Sequence, residues 1–205
     1  MRALFLRLCR ILFAVTLLLG VPRVLPAEVL SPTEYDIKAA FLYNFAKFVE
    51  WPQTVLQKNP DTFVIGIIGE DPFGSDLDRE LDGKTVQDRK LVLRRISTVQ
   101  EASACNVLFI SASSAGHVES ILDAIREQPI LTVSDMDQFV QRGGMVGFSM
   151  DGKRVRFSIN IAAANKADLK VSSQLLKLAK TLISRRLSTI QYVWLTSETI
   201  PFAAS

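Results

Sequence analysis

The chain has 205 residues, 48% of them hydrophobic and 22% charged, with a formal net charge of +3. Arg2, Arg7, Arg10 and Arg23 fall within the first 27 positions, which hold no acids, so beyond them the 24 basic residues drop to 20 against 21 acidic ones. A near-neutral chain lacks the concentrated basic face that nucleic-acid binding needs, and the small cluster Lys90, Arg94 and Arg95 reads as a solvated strand edge.

The N-terminus has the three-part form of a secretory signal. Arg2, Arg7 and Arg10 supply the positive region, Ile11 to Gly20 the apolar region, and Leu25-Pro26-Ala27 a small residue before Glu28. Cleavage is expected between Ala27 and Glu28, with an uncleaved anchor as the alternative. The apolar region is too short to span a bilayer, which takes roughly 20 residues. Residues 1–27 therefore read as a signal peptide and 28–187 as a single α/β domain. Residues 188–205 read as a tail without clear periodicity. No second stretch approaches membrane-spanning length, so the mature chain carries no transmembrane segment. Cys9 leaves with the signal, and the remaining Cys105 cannot form an internal disulfide; it reads as a buried, inert thiol.

The domain opens on Ser31-Pro32-Thr33-Glu34, which predicts a helix with Ser31 as its cap and Pro32 at the first position. Ile37, Phe41, Phe45 and Phe48 form its apolar stripe, and Pro52 stops it near Glu50. The run Phe63 to Ile68 is apolar without alternation, as in a strand covered on both faces. A turn at Gly69 to Gly74 follows, then a helix through Leu77 and Leu81. Further strands are predicted at Leu91 to Ile96, Val107 to Ile110 and Ile130 to Val133, with helices around Val99 to Ala104, Ala115 to Glu127 and Met136 to Gln141. Gly144 to Met150 and Arg154 to Ile161 flank Asp151-Gly152 as a hairpin, and a final helix runs from Ser173 to near Leu187. Alternating strands and helices predict an α/β fold: a three-layer α/β/α sandwich with a mostly parallel sheet and a C-terminal antiparallel hairpin.

Catalytic chemistry finds little footing. His117 is the sole histidine and reads as a solvated or capping residue. No serine sits in a Gly-x-Ser-x-Gly elbow, and one histidine with one cysteine cannot supply a structural zinc site. No cofactor is implied. The place for a ligand in an open α/β sheet is the carboxyl edge of its strands, which here nominates Glu70, Asp71, Ser111, Ser134 and Asp135. Each has a structural alternative. Glu70 and Asp71 repel phosphate, and Asp71-Pro72 reads better as a helix start; Ser114 with Ser134 or Asp135 reads as caps of the helices that follow.

The segment Asp36-Ile37-Lys38-Ala39-Ala40-Phe41-Leu42-Tyr43-Asn44-Phe45-Ala46-Lys47-Phe48-Val49-Glu50-Trp51-Pro52 resembles the opening signature of the YfiR family of periplasmic regulators. The likeness continues through Ile65 to Gly74, Leu81-Asp82-Gly83-Lys84, Cys105 to Ser111, Leu131 to Asp135, Gly143-Gly144-Met145, Arg154 to Asn160 and Ser172 to Leu176, about residues 35 to 183 in all. The resemblance implies a non-enzymatic protein of the periplasm that binds the sensor domain of an inner-membrane diguanylate cyclase or sensor kinase. For a cyclase, it would hold down cyclic di-GMP synthesis and biofilm formation. It further implies a homodimer and an OmpA-type outer-membrane lipoprotein as a sequestering partner. The best-known member has two disulfides, which Cys105 alone does not match, and Asn106 stands where relatives often carry His. Trp51, Phe73 and Phe148 are the candidate anchors of the partner contact, since aromatics are enriched at interfaces, with core packing as the alternative. A periplasmic small-molecule receptor or enzyme using the carboxyl-edge crevice is the competing reading.

Overall fold

The computed structural model describes residues 32–184. The expected signal peptide, the expected cleavage point at Ala27 and Glu28, and the tail from 188 lie outside the described residues. Helix α1 (Glu34–Phe48) leads into a two-residue strand β1 (Val49–Glu50) and a short helix α2 (Gln53–Lys58). Strand β2 (Thr62–Ile68), helix α3 (Ser75–Leu81), β3 (Thr85–Val86) and β4 (Arg89–Ile96) follow. A 3-10 turn at Val99–Ala104 precedes β5 (Val107–Ile110); a second one at Ala112–His117 runs into α4 (Val118–Ala124) and then β6 (Leu131–Ser134). The hairpin β7 (Val146–Asp151) and β8 (Arg154–Asn160) is followed by α5 (Ile161–Lys166), β9 (Lys170–Val171), α6 (Ser173–Leu178) and β10 (Thr181–Ile183).

Eight strands form one sheet in the order β10-β8-β7-β6-β5-β2-β4-β3, and β1 pairs with β9 in a second, two-stranded sheet. The contiguous run β4-β2-β5-β6-β7 is parallel, while β8 is antiparallel to β7 and β3 to β4. This is the expected mostly parallel α/β sandwich with its hairpin. Its two cores follow from the pleat. Along β2, Phe63, Ile65 and Ile67 face the larger cluster under α1 and α3, while Val64 and Ile68 face the cluster built by α4 and the 3-10 turns. Full burial of an aromatic such as Phe45 stabilises the fold by about 2–3 kcal/mol.

Several local expectations give way. The cap of α1 is Thr33, not Ser31, because Thr33 and Asp36 close a reciprocal box: Asp36 N–H donates to Thr33 Oγ1 at 3.2 Å and Thr33 N–H to Asp36 Oδ2 at 2.7 Å. The buried face of α1 is Lys38, Ala39, Leu42, Phe45 and Ala46; of the predicted stripe only Phe45 is fully covered, with Ile37, Phe41 and Phe48 half-buried beside it. The helix stops at Phe48 because Val49 pairs with Val171 and Ser172 N–H donates to Phe48 O.

Helix α3 begins after Gly74 at φ 56° rather than at Asp71-Pro72. The helix predicted at Ala115 is split by the 3-10 turn before it and ends at Ala124. The helix predicted from Met136 is a run of turns, interrupted by Gln138 at φ 56°. The hairpin register pairs Asp151 with Arg154, so its loop is Gly152-Lys153, one residue later than expected, with Gly152 at φ 59°. The last helix ends at Leu178 instead of near Leu187. Ala179 is extended, and Lys180 N–H donates to Phe157 O, which starts β10 on the edge of β8.

Candidate functional site

Because β2, β5 and β6 are neighbours running the same way, their carboxyl ends bring Glu70, Asp71, Ser111, Ser134 and Asp135 to one edge of the sheet. The edge is closed by its own side chains. Ser134 is fully buried, donates to Ile110 O at 2.6 Å and accepts from Met136 N–H at 3.1 Å. Ser111 is buried and accepts from Ser113. Ser113 Oγ in turn accepts from Glu70 N–H at 2.8 Å. At Gly69, held at φ 92°, an added Cβ would lie 2.6 Å from both Ser113 Oγ and Ser114 Oγ. The crevice between β2 and β5, where strand order reverses, is thus packed with hydroxyls already bonded to the loops that frame it.

Glu70 itself is exposed. Asp71 is bound on both oxygens: Oδ1 accepts from Phe73 N–H at 2.8 Å and Oδ2 from Arg95 Nε at 2.7 Å. Arg95 also grips Asp78 at 2.6 Å and Gly74 O at 3.1 Å, so one guanidinium ties the end of β4 to the start of α3. Its hydrogen bond to Asp78 raises the Arg95 pKa and lowers that of the Asp78 carboxyl. Asp71 is therefore a structural acceptor of the turn.

The strongest polar cluster joins Asp135 to two residues of α1 that the sequence reading passed over. Lys38 Nζ lies 2.7 Å from Asp135 Oδ2 and also pairs with Glu34. Tyr35 OH donates to the same Asp135 oxygen at 3.0 Å. The ammonium sits 4.3 Å from the Tyr35 ring centroid and 6.0 Å from that of Phe148. Lys38 is 3% exposed. Burial pulls its pKa down, but hydrogen bonds to Asp135 and Glu34 outweigh it, and the net shift is upward. Burial and the Asp135 charge push the Tyr35 hydroxyl up as well. Both groups hold their protons at neutral pH, so neither is a general base there. The cluster acts as a clamp between the first turns of α1 and the end of β6. Its sequence signal was the Glu34–Lys38 spacing of four on a helix whose next residues, Ala39 and Leu42, are core.

The three aromatic anchor candidates are buried in one core cluster: Trp51 at 5%, Phe73 at 2% and Phe148 at 5% exposure. Trp51 meets Phe63 edge-on at 4.9 Å, with its Nε1 unpartnered. Phe73 lies between Tyr35 and Phe109, and Phe148 packs on Phe45. None presents a free aromatic face, and each sits in the core position that stood as the alternative to an anchor. His117 is exposed and makes no side-chain capping bond to α4. Cys105 is buried, and burial pushes its thiol up to about 11, with Arg94 and Glu101 acting in opposite directions. Among the described residues no group of three or more His, Cys, Asp and Glu is placed to hold a metal ion, and no helix is long and apolar enough to cross a membrane.

Solved structures to which part of this chain is similar include a conserved domain protein from Vibrio cholerae O1 biovar El Tor. It is 14% identical, with 63% of this chain and 58% of that chain covered, at a TM-score of 0.45. Another is the ABC domain in complex with L-Trp from Streptococcus pneumonia, 11% identical, with 62% and 58% covered, at a TM-score of 0.43. The chain spans 58% of the length of each. A family model described as YfiR/HmsC-like matches residues 35–180, from α1 through α6 and including Tyr35, Lys38 and Asp135. The chain belongs to the YfiR/HmsC-like family.

Proposed function

We propose that the protein is a non-enzymatic regulator of the periplasm, exported by cleavage after Ala27, that binds the periplasmic sensor domain of an inner-membrane diguanylate cyclase. By favouring the inhibited state it lowers cyclic di-GMP and biofilm formation; the shift equals its difference in affinity for the two states. The observation that carries this reading is the family match over residues 35–180. The closed carboxyl edge supports it: the hydroxyls of Ser111 and Ser134 and the ionisable groups of Asp71 and Asp135 are engaged in contacts within the fold. A homodimer and an OmpA-type outer-membrane lipoprotein are further partners on the same reading. A partner contact through Trp51, Phe73 or Phe148 would require those buried side chains to leave the core.

Deletion of the gene with measurement of cyclic di-GMP under biofilm conditions tests the proposal. A rise, reversed by the wild-type gene, is expected. An unchanged level, together with no inner-membrane protein recovered by co-purification, overturns it.

A further inference from the structure

Charge is distributed unevenly along the described chain. Residues 32–151 hold eighteen acidic and eleven basic residues, whereas residues 152–184 hold seven basic residues and a single acid, Asp168. That basic stretch is β8, α5, β9, α6 and β10, and β8 and β10 lie together at one end of the sheet. Lys153, Arg154, Lys166, Lys177 and Lys180 are all exposed. The one ion pair of the stretch among the described residues is the long contact of Arg156 with Asp151, at 3.9 Å. Lys170 faces Glu50 across the β1–β9 ladder and is partly offset there.

A second observation falls on the same side. The exposed large apolar side chains among the described residues are Met150, Leu178 and Leu182, at 43%, 63% and 43%. Met150 pairs with Val155 beside the Lys153-Arg154 turn. Leu178 stands between Lys177 and Lys180, and Leu182 lies in β10 opposite Ile159. Lys180 N–H donates to Phe157 O and Leu182 pairs with Ile159, so the backbone of both is held beside β8, with Leu178 two residues upstream. Exposed leucines alternating with unpaired lysines fit a surface that offers diffuse negative charge over an apolar layer. Lysine ammonium groups on flexible stems suit such a headgroup layer, where a carboxylate partner is better matched by a fixed arginine fork.

We propose that the β8–β10 edge docks on bilayers containing anionic phospholipid, with lysines at the headgroups and Leu178 and Leu182 at the acyl boundary. This goes beyond the regulator reading and involves no protein partner. Its effect is to confine a water-soluble domain to a membrane surface.

The chain from Glu28 onward keeps the whole compact unit and is mixed with vesicles of phosphatidylcholine, with or without phosphatidylglycerol. Co-sedimentation is expected only with phosphatidylglycerol and is suppressed by salt. Lys177→Gln with Lys180→Gln weakens it about 30-fold, from about 5-fold per lysine at an anionic surface, and Leu178→Ser with Leu182→Ser weakens it several-fold. Thermal melts check that each variant is folded, and Lys153→Gln with Arg154→Gln provides an independent charge variant. Equal retention on both vesicles, or none on either, overturns the proposal. Salt-sensitive self-association without vesicle binding also overturns it, and assigns the edge to the acidic half of a second copy.

Discussion

Lys38 Nζ and Asp135 Oδ2 lie 2.7 Å apart, joining the second turn of α1 to the residue that follows β6. Both side chains are nearly enclosed, at 4% and 11% exposure. Removing one partner leaves the other charge short of compensation in a poorly solvated place. Lys38→Met is expected to destabilise the fold by about 3 kcal/mol. Asp135→Asn costs less, because Glu34 still faces the ammonium. The double variant Lys38→Met with Asp135→Leu should recover much of the loss. Urea titration of the four proteins checks this, and strictly additive losses would show that the pair is uncoupled.

The pH dependence follows from the same cluster. Lys38 and Tyr35 both have folded pKa values above their ordinary ones. In alkali the folded state therefore binds more protons than the unfolded one, and stability falls as pH rises. The contribution is complete below about pH 10 and lost as pH climbs through the folded values. On the acid side, the hydrogen bond from Arg95 holds Asp78 low and that from Arg142 holds Glu119 low. Their contributions are present above the ordinary carboxylate range and lost as pH falls through the folded values. Melting temperature against pH should show both limbs, with the alkaline one blunted in Tyr35→Phe.

Gly66 sits where a side chain does not fit. A Cβ there would lie 2.5 Å from Cys105 Sγ and 3.3 Å from Leu108 Cδ1. Gly66→Ala is expected to cost about 2 kcal/mol by overpacking. Cys105→Ala in the same chain removes the sulfur and should restore most of that loss, measured by chemical denaturation.

Cys105 should be inert in the folded protein. Its thiol is buried and pushed up to about 11, so little thiolate exists at neutral pH. In the chain from Glu28 onward, which lacks Cys9, a disulfide-exchange reagent should label nothing quickly at pH 8 and one thiol in denaturant. Rapid labelling of the native protein would contradict the burial.

Much of the fold was legible because its signals were local. The apolar runs that became β2, β5 and β6 could be read without tertiary knowledge, and so could the helix through Leu77 and Leu81. The boundaries that moved were decided by distant partners. The stretch after Leu178 has helical spacing, yet Phe157 O claims the Lys180 N–H and turns it into a strand. Val49 looks like helix until Val171 is beside it. At the carboxyl edge, Asp135 was visible as a strand-end acid. Its partners Tyr35 and Lys38 were hidden inside an aromatic segment whose face could not be oriented from spacing alone. The two-residue strands β1, β3 and β9 have no sequence pattern long enough to detect.

The β1–β9 ladder, small as it is, bears on how the chain reaches its native state. Val49 can find Val171, and Phe48 O can receive Ser172 N–H, only after nearly all of the domain has been made. Contacts so distant in sequence close late and slowly. A chain synthesised from its N-terminus must therefore keep the exit of α1 unpaired until the last elements appear. Folding should then finish in one cooperative step that leaves no stable N-terminal half.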